Sequence, residues 1–555
     1  MVFEEIENNH FSIYRCTRPK FMKDKLFCED DSVITVLEGI ILNSSDLFHE
    51  TSLFEYVKKG ILNGQRFYEN FRGNFSGAVY DKSKSEWEFF TDCLGMKPVF
   101  YYCSNGVWAV SSDVIEIINM LKDQHFPYTL NVEAAYDLLT YGFMIGDNTL
   151  VREIKKLPYG SYMKFLDGEM EVYRYYDFDY CQNQSGDVIT DDEIIEKMDS
   201  LFRQAVKLQF QKDDEYGYEH LATLSGGLDS RMTVWVAHSL GYGDMTNLTF
   251  GESDCADEKI SKLVAKKLGH SMIVRTLDDG RMLTQYKDVV RLNGGISLYS
   301  GIAHSFIALS SINVQKYGIL HTGDLGDAIV GPFAYSNEGD YPGAYSLKLK
   351  DNVTHKWDKS LNIEKFKMIT RGFNGVGASK IVSENFIDCL SPFLYKDFFE
   401  FCLGEIPFEK RDHHYMYKKW VMTKYPDAAQ LPLQRYNGGL MNEGIIKQTF
   451  RKVKRIGIKT VFEWILWKIG VKHELSRRIV KSSMNPMDLW YEEKKSIAND
   501  MNAYTSRICT EAIKNPEIDK QLIACSEKLY REGNTSEKTQ VITLLSFIED
   551  WFLST

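Results

Sequence analysis

The 555-residue chain reads as an α/β protein, with a strand-rich N-terminal domain, a doubly wound parallel sheet and a helical C-terminal part. Three observations predict this. Short β-branched and aromatic runs follow one another closely up to about residue 110, separated by turn residues. Strand and helix patterns then alternate from about residue 192 to 277, the texture of a parallel sheet. From about residue 390 the periodicity is chiefly helical.

The elements follow in order. Residues 31–42, 77–81, 87–91, 98–103 and 107–111 read as strands of a mostly antiparallel layer, with turns at Asp81-Lys82-Ser83 and Ser104-Asn105-Gly106. Residues 132–139 read as a helix, and 162–176 as a hairpin around Asp167-Gly168. The polar stretch 181–192 is the linker candidate. Beyond it, Ile194, Ile195, Met198, Leu201, Phe202 and Ala205 recur at helical spacing. Strands at 220–224, 246–250 and 272–277 then alternate with helices reaching Leu240 and spanning 257–268. The expected domains are 1–180, 190–440 and a helical, basic extension over 441–555.

Composition narrows the function classes. With 44% hydrophobic, 26% charged and 12 Pro, the chain is globular rather than disordered or fibrous. A net charge of −11 gives no bulk attraction to nucleic acid, and none is expected as a partner. The N-terminus has neither a basic nor an apolar leader region, and no stretch reaches about 18 uninterrupted apolar residues. The ten cysteines form no CxxC pair, so reduced thiols in a cytoplasmic protein are expected.

The informative segment is 221–240, LATLSGGLDSRMTVWVAHSL. An apolar strand ends at Leu224, Gly226 and Gly227 turn the chain, and a helix starts at Leu228 or Asp229. Such a turn presents backbone N–H groups and the positive helix end to an anion, and glycines let a phosphate approach the backbone. Ser225 and Ser230 add hydroxyl donors. A carboxylate beside phosphate is repulsive unless a divalent cation lies between, so Asp229 reads as a Mg²⁺ ligand. The loop lacks the GK[ST] of a Walker loop and the GxGxxG of a dinucleotide fold, which argues against kinase-like and NAD-dependent chemistry.

SGGLDS resembles the signature of ATP-pyrophosphatases, and the wider pattern resembles glutamine-dependent, B-type asparagine synthetases. LTFGE (248–252) with Asp257-Glu258 looks like that family's second strand and adenosine turn. HTGDLGDAIVG (321–331) looks like its SGEGxDExxGG loop, Pro392-Phe393-Leu394 like PFLD, and Lys419-Trp420-Val421-Met422 like KxxLR. Residues 71–112 resemble its glutaminase-type domain, and Leu157-Pro158-Tyr159-Gly160 its LPPG linker. The resemblance spans roughly residues 33–440.

It implies an N-terminal Ntn-type α+β sandwich before the nucleotide domain, with ATP and Mg²⁺ as cofactors. Adenine would pack at Leu224 and the Phe250-Gly251 turn. Ser225, Gly226, Gly227, Asp229 and Ser230 would hold pyrophosphate and metal, with Thr322-Gly323 over the nucleotide and Asp327 as second metal acid. Asp324 falls on a glutamate that handles the nucleophile, and Lys419, with Lys418 as the alternative register, on the lysine that stabilises the acyl-adenylate.

The glutaminase half departs from the family. Its catalytic N-terminal cysteine is replaced here by Met1-Val2, and the glutamine-clamping NGEIYN appears as Glu38-Gly39-Ile40-Ile41-Leu42-Asn43, with Ile40 where a carboxylate stood. Asp92 retains the other clamping acid. The expected activity is AMP-forming amide ligation, with ammonia or an amine acting on a small-molecule, peptide or glycan carboxylate such as a uronic acid. Ammonia-dependent asparagine synthesis, ring closure like that of lasso-peptide cyclases or β-lactam synthetases, and a non-catalytic nucleotide binder are the alternatives. Residues 447–481 carry eleven Lys/Arg against two Glu, interleaved with Phe450, Phe462, Trp464 and Trp467. Such a segment suits a partner protein or the inner membrane face. A homodimer is left open.

Overall fold

A computed structural model of the chain describes residues 1–7, 10–104, 106–166, 168–181, 189–335, 338–434, 440 and 483–553. Two compact units form, Met1–Thr129 with Gly146–Phe178, and Leu130–Ile145 with Asp179–Thr555.

In the first unit, a six-stranded antiparallel sheet runs in the order β11-β10-β6-β5-β4-β3. Its strands are β3 (Leu26–Glu29), β4 (Val33–Ile41), β5 (Gly73–Asp81), β6 (Glu86–Thr91), β10 (Ser161–Leu166) and β11 (Glu169–Arg174). Period-2 alternation sorts β4 onto two cores: Val33, Leu37 and Ile41 meet Leu53, Val57 and Ile61 of the helix Leu53–Leu62, while Ile34 joins Trp87, Phe89 and Met163 on the other face. That second core is covered by Tyr101, Trp108 and Val110 from the small sheet β8-β7-β9 (Val107–Ser111, Phe100–Ser104, Ile154–Lys156) and by Ile6 and Ile13 from the hairpin β1-β2 (Val2–Glu7, Ser12–Thr17). The result is the α+β sandwich expected from the resemblance.

The second unit holds a five-stranded parallel sheet, β14-β13-β12-β15-β16. Its strands are β12 (Glu219–Thr223), β13 (Met245–Gly251), β14 (Ser271–Thr276), β15 (Tyr317–His321) and β16 (Asp388–Leu390). The helix Asp191–Tyr216 leads in. Thr190 and Glu193 close a capping box at its start, and Gly217 ends it in the left-handed region at φ 72°. From β12 the chain winds outward through β13 to β14, then returns to place β15 on β12's other side. The switch in winding direction therefore falls between β12 and β15, and a crevice opens there beyond the strand carboxyl ends.

Two boundaries differ from expectation. The helix Val132–Tyr141 lies in the second unit, although 1–180 was read as one domain. Ala134 through Tyr141 are all buried, so this helix needs cover on every side, and the helices Lys520–Glu532 and Thr535–Ile548 supply it. The described part of 441–555 is likewise integral to the second unit, because every residue of Thr535–Ile548 except Ser536 is buried. The basic segment 447–481 lies outside the described residues. Among the described residues no helix is long and apolar enough to cross a membrane.

Candidate active site

The crevice is a cavity of about 330 Å³. The ends of β12, β13 and β15 form its floor through Leu224, Phe250 and Thr322. Ser225, Gly227, Asp229 and Ser230 form one wall, and His304 and Lys380 another.

The glycine loop is drawn in by its own side chains. Ser225 N–H donates to Ser230 Oγ (2.9 Å), Gly227 N–H to Ser225 Oγ (3.2 Å) and Gly226 N–H to Asp257 Oδ1 (3.0 Å). Burial holds the Asp257 carboxyl above its usual range, and among the described residues its Oδ2 has no hydrogen-bond partner. An incoming phosphate would replace these local acceptors at the same amides. Gly226 itself lies beneath Asp257 rather than on the cavity wall.

The second loop packs directly on the first. A Cβ at Gly323 would meet Ser230 N at 2.3 Å, and one at Gly326 would meet Asp229 Cγ at 2.7 Å. Between them Leu325 takes φ 61°, a left-handed conformation unusual for a non-glycine residue. Tyr417 Oη donates to Asp229 Oδ1 (2.7 Å). Burial raises this hydroxyl well above the usual tyrosine range, and the charges of Asp229 and Asp327 raise it further, so it stays a donor. Asp327 is off the cavity wall but acts on the same hydroxyl. An all-oxygen donor set of two carboxylates suits a hard cation such as Mg²⁺. Asp229 and Asp327 are the residues that would hold it.

Leu224 and Phe250 line the cavity as expected, but the adenine contacts differ. Leu224 N–H is engaged by Leu248 O (2.9 Å), so that amide is not open to adenine. Gly251, at φ 154°, faces Met484 rather than the cavity. Met484 Cγ would lie 2.7 Å from a Cβ there, and Met484 itself lines the cavity.

Neither Lys419 nor Lys418 reaches the cavity. Met416, Tyr417, Trp420 and Val421 occupy the inward face of the helix Tyr415–Lys424, which turns 418 and 419 outward. Lys419 Nζ pairs with Asp191 Oδ2 (2.6 Å) and Lys418 Nζ donates to His413 O (2.6 Å). Among the described residues, the lysine on the cavity wall is Lys380. Its Nζ lies 3.1 Å from Asp324 Oδ2, which also accepts from Thr322 Oγ1 (2.7 Å). Beside it, His304 packs on Phe250 with ring centroids 4.7 Å apart. Burial lowers the imidazole to about 4, so it is neutral near pH 7.

Lys380, His304, Tyr417 and Met484 carry no site signal of their own in the sequence, and Asp257 enters only as part of the adenosine-turn resemblance. Tyr417 stands two residues before the KxxLR-like stretch and Asp257 beside the LTFGE stretch, so both had a nearby signal. Lys380 had none, because a buried lysine reads like any solvated one.

This fold and cleft define a parallel-sheet protein with a crevice between two glycine loops at the carboxyl ends of the strands. Residues 35–176 match the family described as glutamine amidotransferase domain, and residues 197–370 the family described as asparagine synthase; the chain combines the two in that order. It is similar to a Methanocaldococcus jannaschii protein named putative asparagine synthetase [glutamine-hydrolyzing] 2, with 23% identity over 72% of this chain and 77% of that protein. It is also similar to asparagine synthetase B [glutamine-hydrolyzing] of Escherichia coli, at 24% over 51% of this chain and 47% of that protein. Similarity to asparagine synthetase [glutamine-hydrolyzing] 2 of Bacillus subtilis is 27% over 43% of this chain and 34% of that protein.

Proposed function

We propose that the chain is an AMP-forming amide ligase that joins ammonia or an amine to a specialised carboxylic acid, such as a glycan uronic acid or a peptide carboxylate, without hydrolysing glutamine. The observation that carries this reading is the convergence of both glycine loops, Asp229 and the Asp324–Lys380 pair on one crevice at the strand switch. In the reaction a carboxylate oxygen attacks the α-phosphorus of ATP, the α–β bridging P–O bond breaks, and pyrophosphate leaves. The amine then attacks the acyl carbon, the C–O bond to AMP breaks, and the amine proton passes to Asp324. The loop amides and Ser230 orient the phosphates; Asp229 and Asp327 would hold Mg²⁺, which would supply charge neutralisation there.

Two observations support independence from glutamine. Ile40 is buried in β4, where no clamp for an α-ammonium can form. Asp92 is committed to its own turn, accepting from the amides of Leu94 (3.0 Å), Met96 (3.1 Å) and Lys97 (2.9 Å). Ammonia-dependent asparagine synthesis is the second reading: the names of the three relatives favour asparagine as product, while independence from glutamine rests on Ile40 and Asp92 alone.

Pyrophosphate release, measured with ATP, Mg²⁺ and ammonium over a panel of carboxylic acids including aspartate, tests both. Asp229→Ala should lower release by about 10²-fold or more, because metal and phosphate alignment supplies several kcal/mol. Unchanged turnover in that variant rejects the ligase reading. Glutamate release on replacing ammonium with glutamine rejects the ammonia route alone.

A further inference from the structure

Lys380 sits on the helix Ala378–Glu384, directly after the π-helical stretch Met368–Gly377, and is only 4% exposed. A buried ammonium is costly unless anions and acceptors surround it. Among the described residues Lys380 Nζ lies at ion-pair distance from one carboxylate, that of Asp324, and makes no well-directed hydrogen bond. Three N–H donors therefore face a cavity wall whose other members include Val376, Ser379, Ser383 and the neutral His304. Asp324 does not depend on this pair, because Thr322 Oγ1 also donates to it and its side chain keeps 36% exposure toward solvent. The pair also lies one residue from Gly323, which abuts Asp229 and Ser230 of the phosphate loop.

We propose that Lys380 is the group that receives the acceptor's carboxylate, by exchanging Asp324 for it, and that it stays on the acyl oxygen once the acid is activated. The exchange leaves Asp324, still held by Thr322, facing the incoming amine. Binding of the acid is thereby coupled to exposure of the proton acceptor. No covalent bond to Lys380 forms. The proposal rests on the amide-ligase reading.

The test compares binding of AMP with that of 5′-O-(N-acetylsulfamoyl)adenosine, an unreactive acyl-adenylate mimic, by isothermal titration calorimetry. Wild type should prefer the mimic. Lys380→Gln should keep AMP affinity and lose about tenfold or more of that preference, the size of a charge-assisted hydrogen bond. Lys380→Arg should retain part of it. Asp324→Asn, which removes the competing anion, should raise it. Retained AMP affinity serves as the folding control, and if Lys380→Gln loses it, the Arg and Asn variants decide. No preference in wild type, an undiminished preference in Lys380→Gln, or a lowered one in Asp324→Asn overturns the proposal. Failure of wild type to bind either AMP or ATP instead rejects the ligase reading beneath it.

Discussion

Two absent side chains set the distance between the phosphate loop and the acidic loop. At Gly323 the obstructing atoms are backbone, Ser230 N at 2.3 Å and Asp229 C at 2.5 Å, which cannot swing away; at Gly326 they belong to the Asp229 side chain. Gly323→Ala should therefore push the loops apart, cutting pyrophosphate release at least about tenfold with a stability loss of about 1–3 kcal/mol. Gly326→Ala should cost less stability, since Asp229 can change rotamer, but should still move a metal ligand. Pyrophosphate release and thermal midpoints check both, and native turnover in Gly323→Ala would show that loop contact is dispensable. At this scale Asp229 was legible because a carboxylate inside a glycine turn needs a chemical reason. Lys419 misled because its motif describes neighbours in the chain, whereas Trp420 and Tyr417 decide which way its helix turns.

At the scale of elements, His270 ties the end of the helix Ala256–Leu268 to its surroundings. Its Nε2 lies 3.0 Å from His238 Nδ1 on the preceding helix, and its Nδ1 lies 3.1 Å from Asn247 Oδ1 on β13. Burial, with the neighbouring His238, depresses its pKa to about 4. The unfolded chain then binds a proton between about pH 6.5 and 4 that the folded chain refuses, so stability is present above pH 6.5 and is lost as pH falls. The His270 share of that loss is about 2–3 kcal/mol. Urea midpoints at pH 7.5 and 5 should diverge in wild type and converge by that amount in His270→Gln; an unchanged pH slope in the variant would remove His270 from the effect. The strands flanking this contact were readable from apolar runs between turn signals, and β12, β13 and β14 lie within a residue of expectation. β15 and β16 were not, because Tyr317–His321 carries a glycine and a buried histidine and Asp388–Leu390 is three residues long. In β1, outward-facing glutamates dilute the apolar signal.

Across the second unit, the C-terminal helices brace the crevice rather than trail from it. Trp490 is buried and donates through Nε1 to Glu252 Oε2 (2.8 Å), while Glu252 N–H donates to Met484 O (2.8 Å), so residues 484–490 cover the end of β13. Further ties run from Tyr286 to Asp500 (3.2 Å), from Arg291 to Asp550 (3.0 Å) and from Ser346 to Glu537 (2.7 Å). Trp490→Ala should cost about 3–5 kcal/mol and leave Glu252 without its donor. Trp490→Phe should cost less, since most of the volume remains. Chemical denaturation reads both, and a near-neutral Trp490→Ala would mean that the C-terminal helices fold independently of β13.

By itself the sequence determined the order of the parts, the glycine turn at the end of an apolar strand, and the apolar side chain of Ile40 where the resemblance places a carboxylate. All three depend on residues close together in the chain, where backbone freedom, hydrophobic period and side-chain type act directly. Only the tertiary structure decided which lysine enters the crevice, which acid caps Gly226, and that Val132–Tyr141 and the C-terminal helices belong with the parallel sheet. Those outcomes turn on which surfaces can be buried together. Lys380 and Lys419 carry the same side chain, and only packing around each separates a buried cation facing the crevice from one paired with Asp191 outside it.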